Sequence, residues 1–402
     1  MTVHGGDVWQ VGEELGIAPS EILDFSANVN PRGLPPRSRE RLVREASDAR
    51  LLSFYPDPSA RRLREALSHQ LAVTADAIVV GPGAESLLVP ILRYLQPTRA
   101  LVPVPAFGEY RRICEQEQIE FSPFPLQRAE LFRTPVDRLC DRIGSESHGA
   151  VLLNNPHNPS GAMLEQHEVQ RVLDAASSVT VRFGAAAKPL AHARGSDRSH
   201  DRKGVVSSKN AEPPGNKTNF CATLVLDEAF IDYVPHASLV REAANQPHLV
   251  VIRSLTKFYG CPALRVGYAV AHPDTIRAIR SLLPTWPVTQ LAIDTLAEAV
   301  ADREYADASL RENALERERL ADSLSELGLF VFPSAANYLL LELHADMPAA
   351  SDLRARLIAK HRILIRNCDS YEGLAPGRYV RVAVRSGEEN SCLIQALAEE
   401  LS

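Results

Sequence analysis

Short, unbroken apolar runs recur along the first two-thirds of the chain, each closed by a residue that stops it. Ala77-Ile78-Val79-Val80 runs into Gly81-Pro82-Gly83, and Arg99-Ala100-Leu101-Val102 runs into Pro103. Ala150-Val151-Leu152-Leu153 meets Asn154-Asn155-Pro156, and Ala222-Thr223-Leu224-Val225-Leu226 meets Asp227. Continuous apolarity without a polar alternation predicts strands buried on both faces, as in a parallel sheet covered by helices. Strands and helices alternate from about residue 36 to about 280, which predicts an α/β large domain over 36–285. Beyond Trp286-Pro287 a polar stretch with regular apolar spacing predicts one long helix, or two, from Thr289 to Leu327. Leu329-Phe330-Val331-Phe332-Pro333 and Asn337-Tyr338-Leu339-Leu340-Leu341-Glu342-Leu343 then read as a strand pair in a smaller α+β domain spanning 286–402. Residues 1–35 read as an arm packed near the active site, and substrate is expected between the domains.

One segment interrupts the pattern. Residues 179–221 carry Arg194-Gly195-Ser196-Asp197-Arg198 and Glu212-Pro213-Pro214-Gly215-Asn216-Lys217, polar, basic and rich in Gly, Pro and Ser. Connections between a helix and a strand usually take ~2–6 residues. The segment therefore reads as a disordered or loosely attached insertion.

Composition narrows the class. A formal charge of −6 and no basic face with interleaved aromatics argue against nucleic acid as a partner. No apolar run approaches the ~20 residues of a membrane span, and the N-terminus lacks a basic-then-apolar signal pattern, so a cytoplasmic protein is expected. The six cysteines are scattered without a Cys-x-x-Cys pair, and no histidine spacing suits a metal.

The chemistry concentrates in Ser254-Leu255-Thr256-Lys257-Phe258-Tyr259-Gly260, followed by Arg265-Val266-Gly267-Tyr268. Hydroxyls and a guanidinium fork suit a phosphate, and a lysine beside them suits a Schiff base with pyridoxal phosphate. A solvated surface lysine is the plainer alternative. Asp227, at the C-terminal end of its strand, can pair with a pyridinium nitrogen, or cap a helix. Asn158, in Asn-Pro-Ser-Gly, can donate to a ring oxygen, or merely shape a turn. The glycine turn before Ala84 and Glu85 offers backbone N–H groups at a helix start. Phe107 and Tyr110 offer rings for stacking, or for the core.

Taken in order, the glycine turn, aromatic, Asn-Pro-Ser-Gly, Asp-Glu-Ala-Phe, Ser-x-Thr-Lys and Arg resemble the fold-type I pyridoxal-phosphate enzymes of the aminotransferase class. The resemblance covers nearly the whole chain and implies an α/β large domain with a mainly parallel, seven-stranded-type sheet. It implies Lys257 as the Schiff-base lysine, Asp227 on the pyridine nitrogen and Asn158 on the ring oxygen. It gives Ala84 and Glu85 to the phosphate through backbone N–H groups, with Ser254, Thr256 and Arg265 as side-chain ligands and Phe107 stacked on the ring. It also implies that Tyr55 reaches the phosphate of a neighbouring subunit, hence a homodimer. Phe230 departs from the pattern: many relatives carry a tyrosine there that bonds the ring oxygen.

Within that class, His4-Gly5-Gly6, Leu23-Asp24-Phe25-Ser26-Ala27-Asn28, Ile365-Arg366-Asn367-Cys368 and Tyr379-Val380-Arg381-Val382 are similar to the threonine-phosphate decarboxylases of cobalamin biosynthesis. That likeness implies a lyase acting on a small phosphorylated amino acid held by His4, Gly5, Asn28, Asn158, Arg366 and Arg381. Two guanidinium forks suit a substrate with both carboxylate and phosphate. An enzyme like histidinol-phosphate aminotransferase shares the fold, the lysine and a phosphorylated substrate. A non-catalytic protein on the same fold is the reading from another class.

Overall fold

The computed structural model describes residues 5–181 and 220–401. Seven strands build its central sheet: β1 (Ile78–Gly81), β2 (Arg99–Val104), β3 (Glu120–Pro125), β4 (Ala150–Asn154), β5 (Thr223–Asp227), β6 (Leu249–Ser254) and β7 (Gly267–Val270). Their spatial order is β1-β7-β6-β5-β4-β2-β3. All neighbours pair in parallel except β7, which runs antiparallel to both β1 and β6. This is the mainly parallel α/β sheet expected of the fold-type I enzymes.

Each central strand divides its side chains between two apolar layers, because successive residues point to opposite faces. Val151, Leu153, Leu224, Leu226 and Val251 join one cluster, while Ala150, Leu152, Val225, Val250 and Ile252 join the other. A sheet covered on both sides leaves only its strand ends open to a ligand.

Two features of the C-terminal third bear on the site. The stretch from 289 to 327 forms two helices, Gln290–Ala301 and Arg303–Glu326. Asp302 breaks the run and caps the second helix, its carboxylate accepting from Tyr305 N at 2.9 Å. The first of these helices packs on Pro36–Ala46 and Arg61–Leu71, beside the central sheet. A second sheet, β8 (Phe330–Val331), β9 (Tyr338–Glu342), β10 (Arg366–Asn367) and β11 (Tyr379–Ala383), has order β8-β9-β11-β10 and is antiparallel throughout. The arm joins this part of the molecule: Leu23–Asp24 pairs in parallel with Ile363–Leu364.

Most of the 179–221 segment, residues 182–219, lies outside the described residues, and so does His4. The ends of that segment are ordered against each other, Thr180–Val181 pairing antiparallel with Phe220–Cys221. Among the described residues no helix is long and apolar enough to cross a membrane.

Candidate active site

Register alone brings three polar residues to one edge of the sheet. Asn154 stands opposite Asp227 at the ends of β4 and β5, and Ser254 ends β6 opposite Gly267. Ligands of open α/β sheets bind beyond such strand ends. Here the edge opens into a cavity of about 330 Å³, roofed by the arm and by the loop between β10 and β11.

Lys257 lies in that cavity on a single helical turn, Leu255–Phe258, that begins where β6 stops. Burial pushes its ammonium down to about 8; the cations Arg381 and Arg265 add to this, while Asp227 and Asp24 oppose it. The arm holds the turn in place. Asn30 N donates to Lys257 O at 3.0 Å, and Asn30 Nδ2 donates to Phe258 O at 2.8 Å.

Asp227 is fixed by two donors. Tyr110 Oη donates to Oδ2 at 2.5 Å, and Ala229 N donates to Oδ1 at 2.9 Å. Burial raises the carboxyl's pKa, whereas Tyr110 and Ala229 favour the ionised form. Asn154 organises the same corner, its Nδ2 donating to Asp227 O at 2.8 Å and its Oδ1 accepting from Asn158 N at 2.6 Å.

At the other end of the cavity lie anion donors. Ser254 Oγ and Thr256 Oγ1 are 2.8 Å apart, and the helix Ala84–Leu95 starts beside them. Gly83 precedes that helix at φ +104°, and a β-carbon there would stand 3.2 Å from Arg265 Nη2, so the glycine gives the guanidinium room. The Glu85 side chain turns to Arg112, which donates to it at 2.8 Å. Burial and the neighbouring Glu109 raise the pKa of Glu85. Phe107 lines the cavity, edge-on to Tyr110 with centroids 5.8 Å apart.

The arm and the smaller sheet supply the remaining wall. Gly5, Asn28, Arg366 and Arg381 all line it. Asn28 is buried, and its Oδ1 accepts no hydrogen bond among the described residues. Arg366 Nη2 donates to Ser370 Oγ at 2.9 Å. Arg381 is more committed than a simple substrate clamp: Nη1 donates to Asn158 Oδ1 at 2.5 Å and Nη2 donates to Ser26 O at 3.2 Å. Its Nε stays buried without an acceptor among the described residues.

The fold therefore brings together Gly5, Asn28, Ala84, Glu85, Phe107, Asn158, Asp227, Ser254, Thr256, Lys257, Arg265, Arg366 and Arg381. Tyr55 lies outside this cavity, 78% exposed and stacked on Trp286 at 4.3 Å. Phe230 lines the cavity and meets Tyr338 edge-on at 5.0 Å. Sequence reasoning missed Asn30, Asn154 and Tyr371, and left Tyr110 as a possible core ring. Asn30 and Asn154 lie near Asn28 and Asn158 in the chain, but Asn30 reaches Lys257 and Phe258 and Asn154 reaches Asp227, all distant in sequence. Among the described residues no cluster of His, Cys, Asp or Glu suits a metal ion.

The donor set fits pyridoxal phosphate. Paired hydroxyls, a guanidinium and a helix start suit its phosphate, the half-buried Asp227 its ring nitrogen, and Phe107 its ring.

Comparison with known proteins agrees. A family model for aminotransferase class I and II matches residues 20–181 and 216–397. Threonine-phosphate decarboxylase of Salmonella typhimurium is 31% identical over 404 residues, covering 100% of this chain and 97% of the relative. Histidinol-phosphate aminotransferase of Methanocaldococcus jannaschii is 26% identical over 405 residues, covering 100% and 95%. The crystal structure of histidinol-phosphate aminotransferase from Sinorhizobium meliloti in complex with pyridoxal-5'-phosphate superposes with a TM-score of 0.78 at 21% identity, covering 100% of this chain and 95% of that one.

Proposed function

This chain belongs to the class I and II aminotransferase family of pyridoxal-phosphate enzymes, and within it we propose that it decarboxylates O-phospho-L-threonine to 1-amino-2-propanol phosphate for the cobalamin side chain. The observation that carries the reading is the pair of buried guanidinium groups, Arg366 and Arg381, on the cavity wall facing Lys257. The cofactor's phosphate already has Ser254, Thr256, Arg265 and the helix start at Ala84 and Glu85. Two further cations suit a substrate that brings two anionic groups of its own. The full-length likeness to the Salmonella decarboxylase supports the same choice.

The reaction breaks the bond from Cα to the carboxylate, releases carbon dioxide and returns a proton to Cα. Pyridoxal phosphate, when bound, supplies the electron sink for the pair left on that carbon. In this reading Lys257 would carry the cofactor and return the proton to Cα. Asp227 would keep the ring nitrogen protonated, Tyr110 donates to Asp227 and favours its ionised form against burial, and Asn158 would donate to the ring oxygen. Gly5, Asn28, Arg366 and Arg381 orient the substrate, because the bond that breaks must stand perpendicular to the ring. A homodimer belongs to the reading: Leu52, Phe54, Tyr55 and Trp286 are exposed, Tyr55 stacked on Trp286, and a second subunit would cover them.

The likeness to the Methanocaldococcus aminotransferase favours a second reading, transamination of histidinol phosphate. Purified holoenzyme given O-phospho-L-threonine is expected to release carbon dioxide. No gas there, with glutamate formed from histidinol phosphate and 2-oxoglutarate, would establish the aminotransferase instead. A colourless protein that takes up no added pyridoxal phosphate would point to the non-catalytic alternative.

A further inference from the structure

Tyr371 belongs to none of the motifs read in the sequence, yet it touches both arginines of the substrate wall. Its hydroxyl donates to Asn158 Oδ1 at 3.1 Å and accepts from Arg381 Nη1 at 3.0 Å. The Arg366 guanidinium lies over its ring, 5.6 Å from the centroid. The side chain is 5% exposed and lines the cavity.

Two guanidinium groups on one buried wall repel each other, and low polarity around them strengthens the repulsion. Tyr371 stands between them with the right surface toward each: a negative ring face toward Arg366 and an oxygen lone pair toward Arg381. The hydroxyl also fixes a third group. With Oδ1 of Asn158 taken by Tyr371 and Arg381, the amide nitrogen is the end left over for a ring oxygen. Phe230 has no hydroxyl to offer that oxygen, so the orientation of Asn158 matters more here.

We propose that Tyr371 is the positioning residue that sets the spacing of Arg366 and Arg381, and so selects substrates bearing two anionic groups over those bearing one. The inference rests on the proposed substrate class and deepens it. An enzyme lacking Tyr371 keeps both cations and their bonds to Ser370, Asn158 and Ser26, but loses the side chain that touches both and sets their separation. A single carboxylate can be met by one arginine and is insensitive to that separation. A carboxylate and a phosphate on one small molecule are not.

The test uses holoenzyme of the parent, Tyr371→Phe and Tyr371→Leu. Each is titrated with O-phospho-L-threonine and with L-threonine, following the visible absorption of the bound cofactor. Phe keeps the ring beneath Arg366 and removes only the hydroxyl, whereas Leu removes both. The parent should prefer the phosphorylated ligand. Phe should lose about tenfold or more of that preference, the worth of a hydrogen bond to a charged group, and Leu should lose more. Affinity for L-threonine should change by less than about threefold, which a general loss of structure would not spare. KM for the phosphorylated substrate should rise more than kcat falls. A parent preference left unchanged in both variants overturns the role of Tyr371 alone. A parent without any preference overturns both this role and the proposed substrate. If Leu fails to hold cofactor, the Phe variant decides.

Discussion

At the scale of single residues, the site places charged groups together in a cavity of low polarity. Lys257 shows this most directly. An exposed lysine stays protonated until about pH 10.4. In the cavity the charged form is disfavoured, first by burial and then by Arg381 and Arg265, so the amine titrates at about 8. The neutral amine is therefore the majority form above about pH 8, and only that form has a lone pair to attack a carbonyl. Apoprotein should accordingly take up pyridoxal phosphate faster as pH rises, with a midpoint near 8 and a plateau above it. Rates of colour development followed from about pH 6 to about pH 10 measure that midpoint, and one near the free-lysine value would contradict the burial argument. Arg381→Ala removes a cation from beside the amine and should move the midpoint upward. Lys257, Asp227, Asn158 and Arg265 were legible in the sequence because each chemistry needs one residue type beside a recognisable turn. Tyr371 was not. Its meaning depends on Asn158, 213 positions away, and only the fold supplies that neighbour.

At the scale of elements, legibility followed burial only in part: β6 is buried along its whole length yet was not read as a strand. The four runs were readable as strands because they are almost wholly apolar, although β1 lies at an edge of the sheet. The edge strand β3 was not, since buried Ser122 and Phe124 alternate with more exposed neighbours and prolines interrupt it. The arm carries more of the site than its sequence suggests. Asn30 N bonds Lys257 O, and Asn30 Nδ2 reaches Phe258 O at 2.8 Å and Ser309 Oγ at 3.0 Å, tying arm, lysine turn and the helix Arg303–Glu326 together. Its side chain is 5% exposed, so removing it strands buried polar groups. Asn30→Ala should cost about 1–3 kcal/mol in denaturant unfolding of the holoenzyme. It should also release pyridoxal phosphate faster than the parent, with an unchanged visible spectrum before release. Unaltered stability and cofactor retention would mean that the arm rests on the site without supporting it.

At the scale of the whole molecule, the question is whether the 179–221 segment matters to the strand that delivers Asp227. That strand, β5, is held on both sides. It pairs in parallel with β4 from Thr223 to Asp227 and with β6 from Leu224 to Asp227. Its inward residues lie in both apolar layers. Among the described residues, β4, β6 and the two apolar layers hold β5 along its whole length. The flanking pairs, Thr180 with Cys221 and Val181 with Phe220, already run antiparallel and adjacent, which is the start of a hairpin. An Asn-Gly pair supplies the left-handed conformations that a two-residue hairpin turn requires. Replacing 182–219 by Asn-Gly should therefore leave the pairing intact. Shortening the connection should add on the order of 2–3 kcal/mol of closure entropy in favour of the folded state, less any strain in the turn. The shortened protein is expected to bind pyridoxal phosphate with the parent's visible spectrum and to melt at the same temperature or higher. Loss of colour on shortening would show instead that the segment supports β5, and with it Asp227.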